Sequence, residues 1–372
     1  MEESLLGGLS PKEFLRRHWQ KRPLLVRRAL PGFGGVIGRG DLFALAARDD
    51  AESRLVEHRR GRWRVTHGPL SRTRLERLAA SSARDWTLLV NGVNGHRAAA
   101  DRLLRRFAFM PQARLDDVMV SYAAPGGGVG PHADSYDVFL VQGAGRRRWR
   151  LGRRRPFALV PGAPLQLIAG FEPDEELILE PGDLLYLPPG WGHDGVALEP
   201  CFTCSVGFRA PRGAELAAAF LDYLHERGLP DGEYRDPALR PTAHPARLGG
   251  ELLAFAARQL GRIRWRHAHV ADFLGRYLTT PKPEVVFRRT RGPAPVLAAC
   301  EVVLDGRTQM LYAGGQFFLN GESFAPPVRQ RRALATLADR RRVPGLVLAR
   351  AGLGERVLGW RRDGFLRILP RP

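Results

Sequence analysis

His132 and Asp134 are separated by one residue, and in an extended chain residues i and i+2 point to the same face. An imidazole and a carboxylate placed in this way can bind one divalent metal, although a lone His-x-Asp also reads as a surface turn. A third ligand must come from elsewhere, and His193 is the candidate. Two histidines and one carboxylate form the facial triad that leaves open positions on Fe(II), suited to a bidentate cosubstrate and dioxygen. Zinc sites more often draw on three histidines or on cysteines.

The same counting selects further side chains. In RRRWRL, Arg147, Trp149 and Leu151 share one face and Arg146, Arg148 and Arg150 the other. An arginine on an apolar face needs a partner, because a lone buried charge is costly. The carboxylate of a bound cosubstrate would satisfy it bidentately; a salt bridge to a core Asp or Glu is the alternative. In DDVMVSY, Asp117, Met119 and Ser121 fall together, so Ser121 can add a hydroxyl to that carboxylate. Tyr136 shares the face of His132 and Asp134. Asp117 and Tyr136 are then candidates to receive a cationic substrate group, against the alternative of a solvated turn Asp and a packing Tyr. The run PGGGVG before His132 lacks the Lys-Ser/Thr of a phosphate loop and leads into a strand, so it reads as a tight, flexible approach to the metal strand.

These residues need strands to position them. From Val118 to Phe208, short apolar runs alternate with Gly and Pro, the pattern of a β-sandwich or barrel. Upstream, PKEFLRRHW, DLFALAAR and residues 96–109 predict helices, and PLLV, RLVEH, RWRVTHG and WTLLVNGV predict strands. GAELAAAFLDYLHERG predicts a helix, a proline-bearing loop follows, and GELLAFAARQLGRIRWRHAHVADFLGRYL predicts one or two more. Beyond about residue 280, PEVVFRR and EVVLDGRTQMLYAGGQFFLNGESF predict strands with an Asn320-Gly321 turn. RRALATLADRRR predicts a helix, and ERVLGWRRDGFLRILP a last hairpin around Asp363-Gly364. That element order fits a winged-helix-like module.

The chain of 372 residues carries a net charge of +20 and a pI of about 11.1. Such a field favours polyanions, so RNA or ribosome contact is one reading; an arginine-biased coding sequence is the other. Only Lys12, Lys21 and Lys282 are lysines. Cys201 and Cys204 could begin a zinc site, but no second pair is suitably spaced, and CFTCSVGF alternates like a strand with two reduced core cysteines. The first residues lack a basic region followed by an apolar one, and no uncharged apolar run spans a bilayer. The expectation is a cytoplasmic protein without membrane insertion.

The segment PGDLLYLPPGWGH has the spacing of the second motif of cupin-type barrels, where a Pro/Gly turn aims a strand-end histidine into the barrel mouth. The asparagine usual four residues later is Ala197 here. Together with His-x-Asp and the RRRW strand, it resembles the Jumonji-C family of 2-oxoglutarate oxygenases. The longer stretches FLRRHWQKRPLLVRR, PGGGVGPHADSYDVFLVQGAGRRRWRLG and CSVGFRAP resemble the bacterial ribosomal oxygenases within it, which hydroxylate an arginine of a large-subunit ribosomal protein. The resemblance runs from residue 12 to about 245 and continues more weakly through the tail.

It implies an α+β chain: a double-stranded β-helix (cupin/jelly-roll) catalytic domain over 1–210, a helical dimerisation region over 211–279 and a winged-helix-like domain over 280–372. It implies Fe(II) on His132, Asp134 and His193, 2-oxoglutarate on Arg147 and Ser121, dioxygen as second cosubstrate, and a homodimer. The implied reaction hydroxylates the β-carbon of an arginine. Histidine hydroxylation in a ribosomal protein and a non-catalytic cupin-like ribosome- or RNA-binding factor are the alternatives. Because ribosomal proteins are themselves basic, free partners would repel unless local acids such as Asp117, Asp137 and the DEE run at 174–176 dominate, or the two meet near RNA.

Overall fold

The computed structural model describes residues 5–153, 155–293 and 295–370. Contacts divide the chain into two units, Met1–Ala210 with Pro281–Thr308 and Asp339–Pro372, and Pro211–Thr280 with Gln309–Ala338.

The first unit holds the strands β1 (Leu24–Val26), β2 (Ser53–Arg59), β3 (Arg62–His67), β4 (Trp86–Val90), β5 (Leu115–Ala123), β6 (His132–Ala133), β7 (Val138–Gln142), β8 (Arg147–Gly152), β9 (Glu175–Leu179), β10 (Leu184–Leu187), β11 (Gly192–Ala197) and β12 (Cys201–Phe208). Eight form one antiparallel sheet in the order β1-β10-β7-β12-β5-β4-β2-β3, and four a second in the order β6-β11-β8-β9. Alternation decides what lies between them. Val138 and Leu140 of β7 and Leu185 and Leu187 of β10 pack against Trp149, Leu151 and Leu179 of the smaller sheet. Their neighbours Phe139, Val141, Leu184 and Tyr186 point the other way, into the main core. This is the expected double-stranded β-helix.

Four helices cover the outer face of the large sheet: α1 (Pro11–Arg17), α2 (Arg39–Ala46), α3 (Arg72–Ala80) and α4 (Ala98–Arg105). Ser10 caps α1, its hydroxyl accepting from the Glu13 backbone while Glu13 accepts from the Ser10 backbone. That cap delivers Phe14 edge-on to Tyr186, with centroids 5.0 Å apart. Phe107, Phe139 and Phe208 extend the same cluster, and burying each such ring contributes about 1.5–3 kcal/mol. Sequence patterning misses α3, a polar helix in which only Leu75 is buried.

The second unit contains α5 (Gly213–Glu226), α6 (Gly250–Leu260) and α7 (His267–Thr279), joined by the expected long loop. The sheet strands there are β14 (Met310–Ala313), β15 (Gln316–Leu319) and β16 (Glu322–Phe324), once β13 (Cys300–Leu304) of the first unit is counted. Leu319 and Glu322 are partners across the predicted Asn320-Gly321 turn, where both central residues have positive φ. The helix α8 (Val328–Arg340) is also as predicted. Two expectations fail. Residues 284–289 form no strand; Phe287 instead sits edge-on against Phe365. The last hairpin, in the first unit, is instead a helix followed by a strand, α10 (Gly354–Arg362) and β18 (Leu366–Pro370), preceded by β17 (Arg342–Pro344) and α9 (Gly345–Arg350). Leu353, Val357 and Trp360 are buried at helical spacing, which outweighs the Asp363-Gly364 turn signal. β18 pairs with β13 rather than with its chain neighbour.

No helix among the described residues is long and apolar enough to cross a membrane.

Candidate metal centre and its cavity

The face of β5, β12 and β7 turned toward the small sheet opens into a cavity of about 490 Å3. Arg54, Leu89, Ser121 and Thr203 are successive register partners across β2, β4, β5 and β12, and all four line it. From the small sheet come His132, His193, Arg147 and Trp149.

His132 and His193 are backbone partners across β6 and β11. Each ring's Nδ1 lies by the carbonyl of the residue two positions earlier, His132 at 2.9 Å from Gly130 O and His193 at 3.0 Å from Trp191 O. A proton on Nδ1 donates to that carbonyl and leaves Nε2 bare for a metal. The Nε2 atoms lie 3.9 Å and 3.6 Å from the two Asp134 carboxylate oxygens. All three ligand atoms fall within 4.8 Å of one another. The Pro-Gly turn of the second motif also fixes the first, because Gly190 N donates to Asp134 O at 2.8 Å. Burial, then the neighbouring His132, pushes His193 down to about 4, so its ring is neutral at pH 7. This donor set fits a facial-triad metal such as Fe(II). Asp134 does not reach the site on the strand with His132: β6 ends at Ala133, and the turn carries Asp134 there.

Arg147 is 5% exposed, and its Nε and Nη2 have no hydrogen-bond partner. The alternative of a salt bridge to a core acid is not realised among the described residues. The guanidinium lies 5.8 Å from the Trp149 ring, and an unpartnered cation facing a cavity suits an anionic ligand. Ser121 is buried, donating only weakly to Thr203 O at 3.5 Å. Thr203 hydroxyl donates to Gln142 Oε1 at 3.0 Å.

Asp117 and Tyr136 both line the cavity. Asp117 Oδ2 accepts from Gly92 N at 2.7 Å, and burial raises its carboxyl pKa. Burial, with Asp134 nearby, raises the Tyr136 hydroxyl, so it stays protonated. Asp137 and residues 174–176 are elsewhere. Asp137 is wholly buried beneath the sheet and accepts from Tyr186, while Asp174 accepts from Arg153 N. The glycine run is tight but not loose. Gly126 N donates to Ala197 O, and Ala197 N to Gly127 O, which ties the run to β11. Cys201 and Cys204 are free and buried in different apolar clusters, as core cysteines.

Arg54, Asp116, Thr203, Arg209 and Lys282 also line the cavity and escaped the sequence reading. Parity on CFTCSVGF could have found Thr203. Nothing local marks Lys282, which lies far along the chain from the strands it joins.

The JmjC domain family matches residues 102–216, and the ROXA-like winged helix matches residues 262–363. Ribosomal protein uL16 3-hydroxylase of Escherichia coli (strain K12) is 38% identical over 337 residues, 88% of either chain. The chain belongs to the JmjC family of 2-oxoglutarate-dependent ribosomal protein hydroxylases. The X-ray structure of E. coli ycfD superposes on this ribosomal oxygenase with a TM-score of 0.83, at 34% identity and over 97% of this chain and 98% of that one. The complex of YcfD with cobalt and 2-oxoglutarate gives 0.80 over the same shares. The expected enzyme class, cupin fold and C-terminal winged helix are therefore borne out.

Proposed function

We propose that this chain hydroxylates the β-carbon of an arginine in a large-subunit ribosomal protein, with uL16, named for the E. coli relative, as the first candidate. The observation that carries this reading is that Asp117 lies in the same cavity as the three metal-ligand residues and Arg147. A cationic side chain reaching Asp117 would bring its own carbons past the metal.

In this reading His132, Asp134 and His193 hold Fe(II), and Arg147 with Ser121 holds the far carboxylate of 2-oxoglutarate. The bound metal, cosubstrate and dioxygen supply an oxidative decarboxylation to succinate and CO2 that delivers one oxygen atom to a substrate C–H bond. The chain's own residues bind and orient. The Nδ1 hydrogen bonds lock both imidazoles in the ligating tautomer. Arg147, with Nε and Nη2 unpartnered, would orient the cosubstrate through its far carboxylate. Val138 and Leu140 of the large sheet and Trp149 of the small sheet give the cavity apolar walls. Tyr136, kept protonated, offers a hydroxyl donor beside Asp134.

The three-part division at 210 and 279, cytoplasmic location and self-association belong to the same proposal. Leu221, Leu260 and Trp265 on and beside α5 and α6 are 63%, 68% and 56% exposed, which supports a homodimer through these helices. With residues 174–176 and Asp137 away from the cavity, the acids available to attract a basic protein there are Asp116, Asp117 and Asp134. That supports an encounter on ribosomal particles, close to RNA, rather than between free proteins.

Mass spectrometry of ribosomal proteins incubated with the enzyme, iron and 2-oxoglutarate tests the reaction. A gain of one oxygen on a single arginine is expected. Oxygen on a histidine would transfer the activity to the histidine class, and no oxidation with intact metal binding would leave a binding factor.

A further inference from the structure

Lys282 projects into the cavity wall at the acidic pair of β5. Its Nζ lies 3.1 Å from Asp116 Oδ1 and 3.8 Å from Asp117 Oδ2. Arg209 Nε lies 3.4 Å from the same Asp116 oxygen. Two carboxylates therefore already face two cations. The cavity as a whole has four cationic side chains, Arg54, Arg147, Arg209 and Lys282, against the carboxylates of Asp116, Asp117 and Asp134. A divalent metal and a doubly charged cosubstrate cancel each other, so loading the site creates no negative excess. A cationic substrate side chain would enter a region that already carries surplus positive charge.

Lys282 makes the shortest contact with the acidic pair, to Asp116, but it is the more exposed of the two cations there, 40% against 20% for Arg209. At 3.8 Å, Lys282 is beyond hydrogen-bond distance of Asp117. Asp117 Oδ2 is already occupied by Gly92 N. An ammonium is a point charge on a flexible stem, whereas a guanidinium presents a planar fork matched to a carboxylate. Burial disfavours the charged form of Lys282, yet Asp117 and Asp116 hold its pKa above the ordinary value, so it remains a competing cation.

We propose that Lys282 is a resident stand-in for the substrate guanidinium: it occupies the Asp116–Asp117 pair until an arginine side chain displaces it toward solvent. The consequence is selectivity. A neutral imidazole cannot replace the ammonium, and a lysine gains nothing over it, whereas an arginine gains the bidentate contact. The inference rests on the reading of Asp117 as the substrate's partner, and the test separates the two.

Two kinds of measurement test it. With only three lysines in the chain, [13C]methyl labelling of the lysine amines gives three signals, and the full-length protein is titrated with uL16. The Lys282 signal moves to a solvent-exposed position, while Lys12 and Lys21 serve as internal references. In turnover with uL16, Lys282→Met lowers KM about three- to fivefold, the scale of one partly exposed ion pair. Lys282→Arg, a stronger competitor, raises KM. A structural neutraliser predicts the reverse, with Lys282→Arg harmless and Lys282→Met damaging. An unmoved Lys282 signal, or a KM that rises in Lys282→Met, overturns the stand-in role while Asp117→Asn still raises KM. If Asp117→Asn leaves KM unchanged, the reading of Asp117 falls and takes this inference with it.

Discussion

His132 and His193 face each other as register partners of β6 and β11, their ring centroids 4.2 Å apart and their planes tilted by 56°. Two imidazoles so close cannot both be charged at low cost. The fold resolves this by binding each Nδ1 to a carbonyl and turning each Nε2 toward Asp134.

This arrangement makes the metal-free protein acid-sensitive. His193 titrates near 4 when folded and near its ordinary 6.5 when unfolded. Between those values the unfolded chain holds a proton that the folded one rejects, so stability falls as pH drops from about 6.5 towards 4. At pH 5 the loss from this group is about 2 kcal/mol. Urea unfolding of the metal-free protein at pH 7.5 and pH 5 should show it, and His193→Gln should flatten the difference.

Arg147 separates binding from stability. Its Nε and Nη2 are buried without partners, a cost that the fold bears in the absence of ligand. Arg147→Met keeps the bulk and removes the charge. The metal-free melting temperature should hold or rise, while affinity for 2-oxoglutarate falls at least about a hundredfold, the scale of a lost bidentate charge-assisted pair. Calorimetric titration of the cosubstrate and thermal melts check the two halves. A fall in both would mean that the guanidinium supports the fold.

Asp137 lies three residues beyond Asp134 but serves the core. Its carboxylate accepts from Tyr186 at 2.6 Å and from Gln20 at 3.0 Å, with Arg114 at 3.4 Å. Asp137→Ala strands these donors and should cost about 3 kcal/mol, as for other broken buried charge pairs. Denaturant unfolding measures the loss. Metal titration of the folded fraction should be unaffected, since Asp137 does not line the cavity.

Strand parity identified Arg147, Ser121 and Asp117 because β5 and β8 each have two unlike faces: β5 turns one to the main core and one to the cavity, and β8 turns one to the cavity and inter-sheet core and leaves Arg148 and Arg150 on a partly exposed one. Alternation is then strict and readable. Asp137 and the DEE run enter on charge alone, which records no facing: β7 begins directly after Asp137, and its carboxylate is wholly buried in the core. The DEE run passes from a turn onto the outer strand of the small sheet. Arg54 and Lys282 were illegible for a different reason. Their elements join the cavity through long-range topology, and no local pattern records which strand will lie beside β4 or which loop will reach β5. The tail departs from a hairpin because the Asp363-Gly364 signal is local to two residues, whereas burial of Leu353, Val357 and Trp360 at helical spacing sets the whole segment.

Gly127 gives the sharpest test of how rigidly the metal ligands are carried. A Cβ there would stand 2.2 Å from Trp86 O and 2.8 Å from Ala124 O, both backbone atoms that cannot swing aside. Gly128 is similarly confined, 2.6 Å from Gly195 O. The run therefore wedges between β4 and β11, and β11 carries His193. Gly127→Ala must push one of them outward, at about 1–3 kcal/mol or more for overpacking. Because β11 is the partner of β6, the displacement reaches both histidines, and metal affinity should fall along with stability. By contrast, Gly162→Ala has open space around its Cβ and only a positive φ to resist it, so it should lower stability modestly and leave metal affinity alone. Parallel metal titrations of the two variants decide the matter: equal affinities would mean that the glycine run does not position the triad.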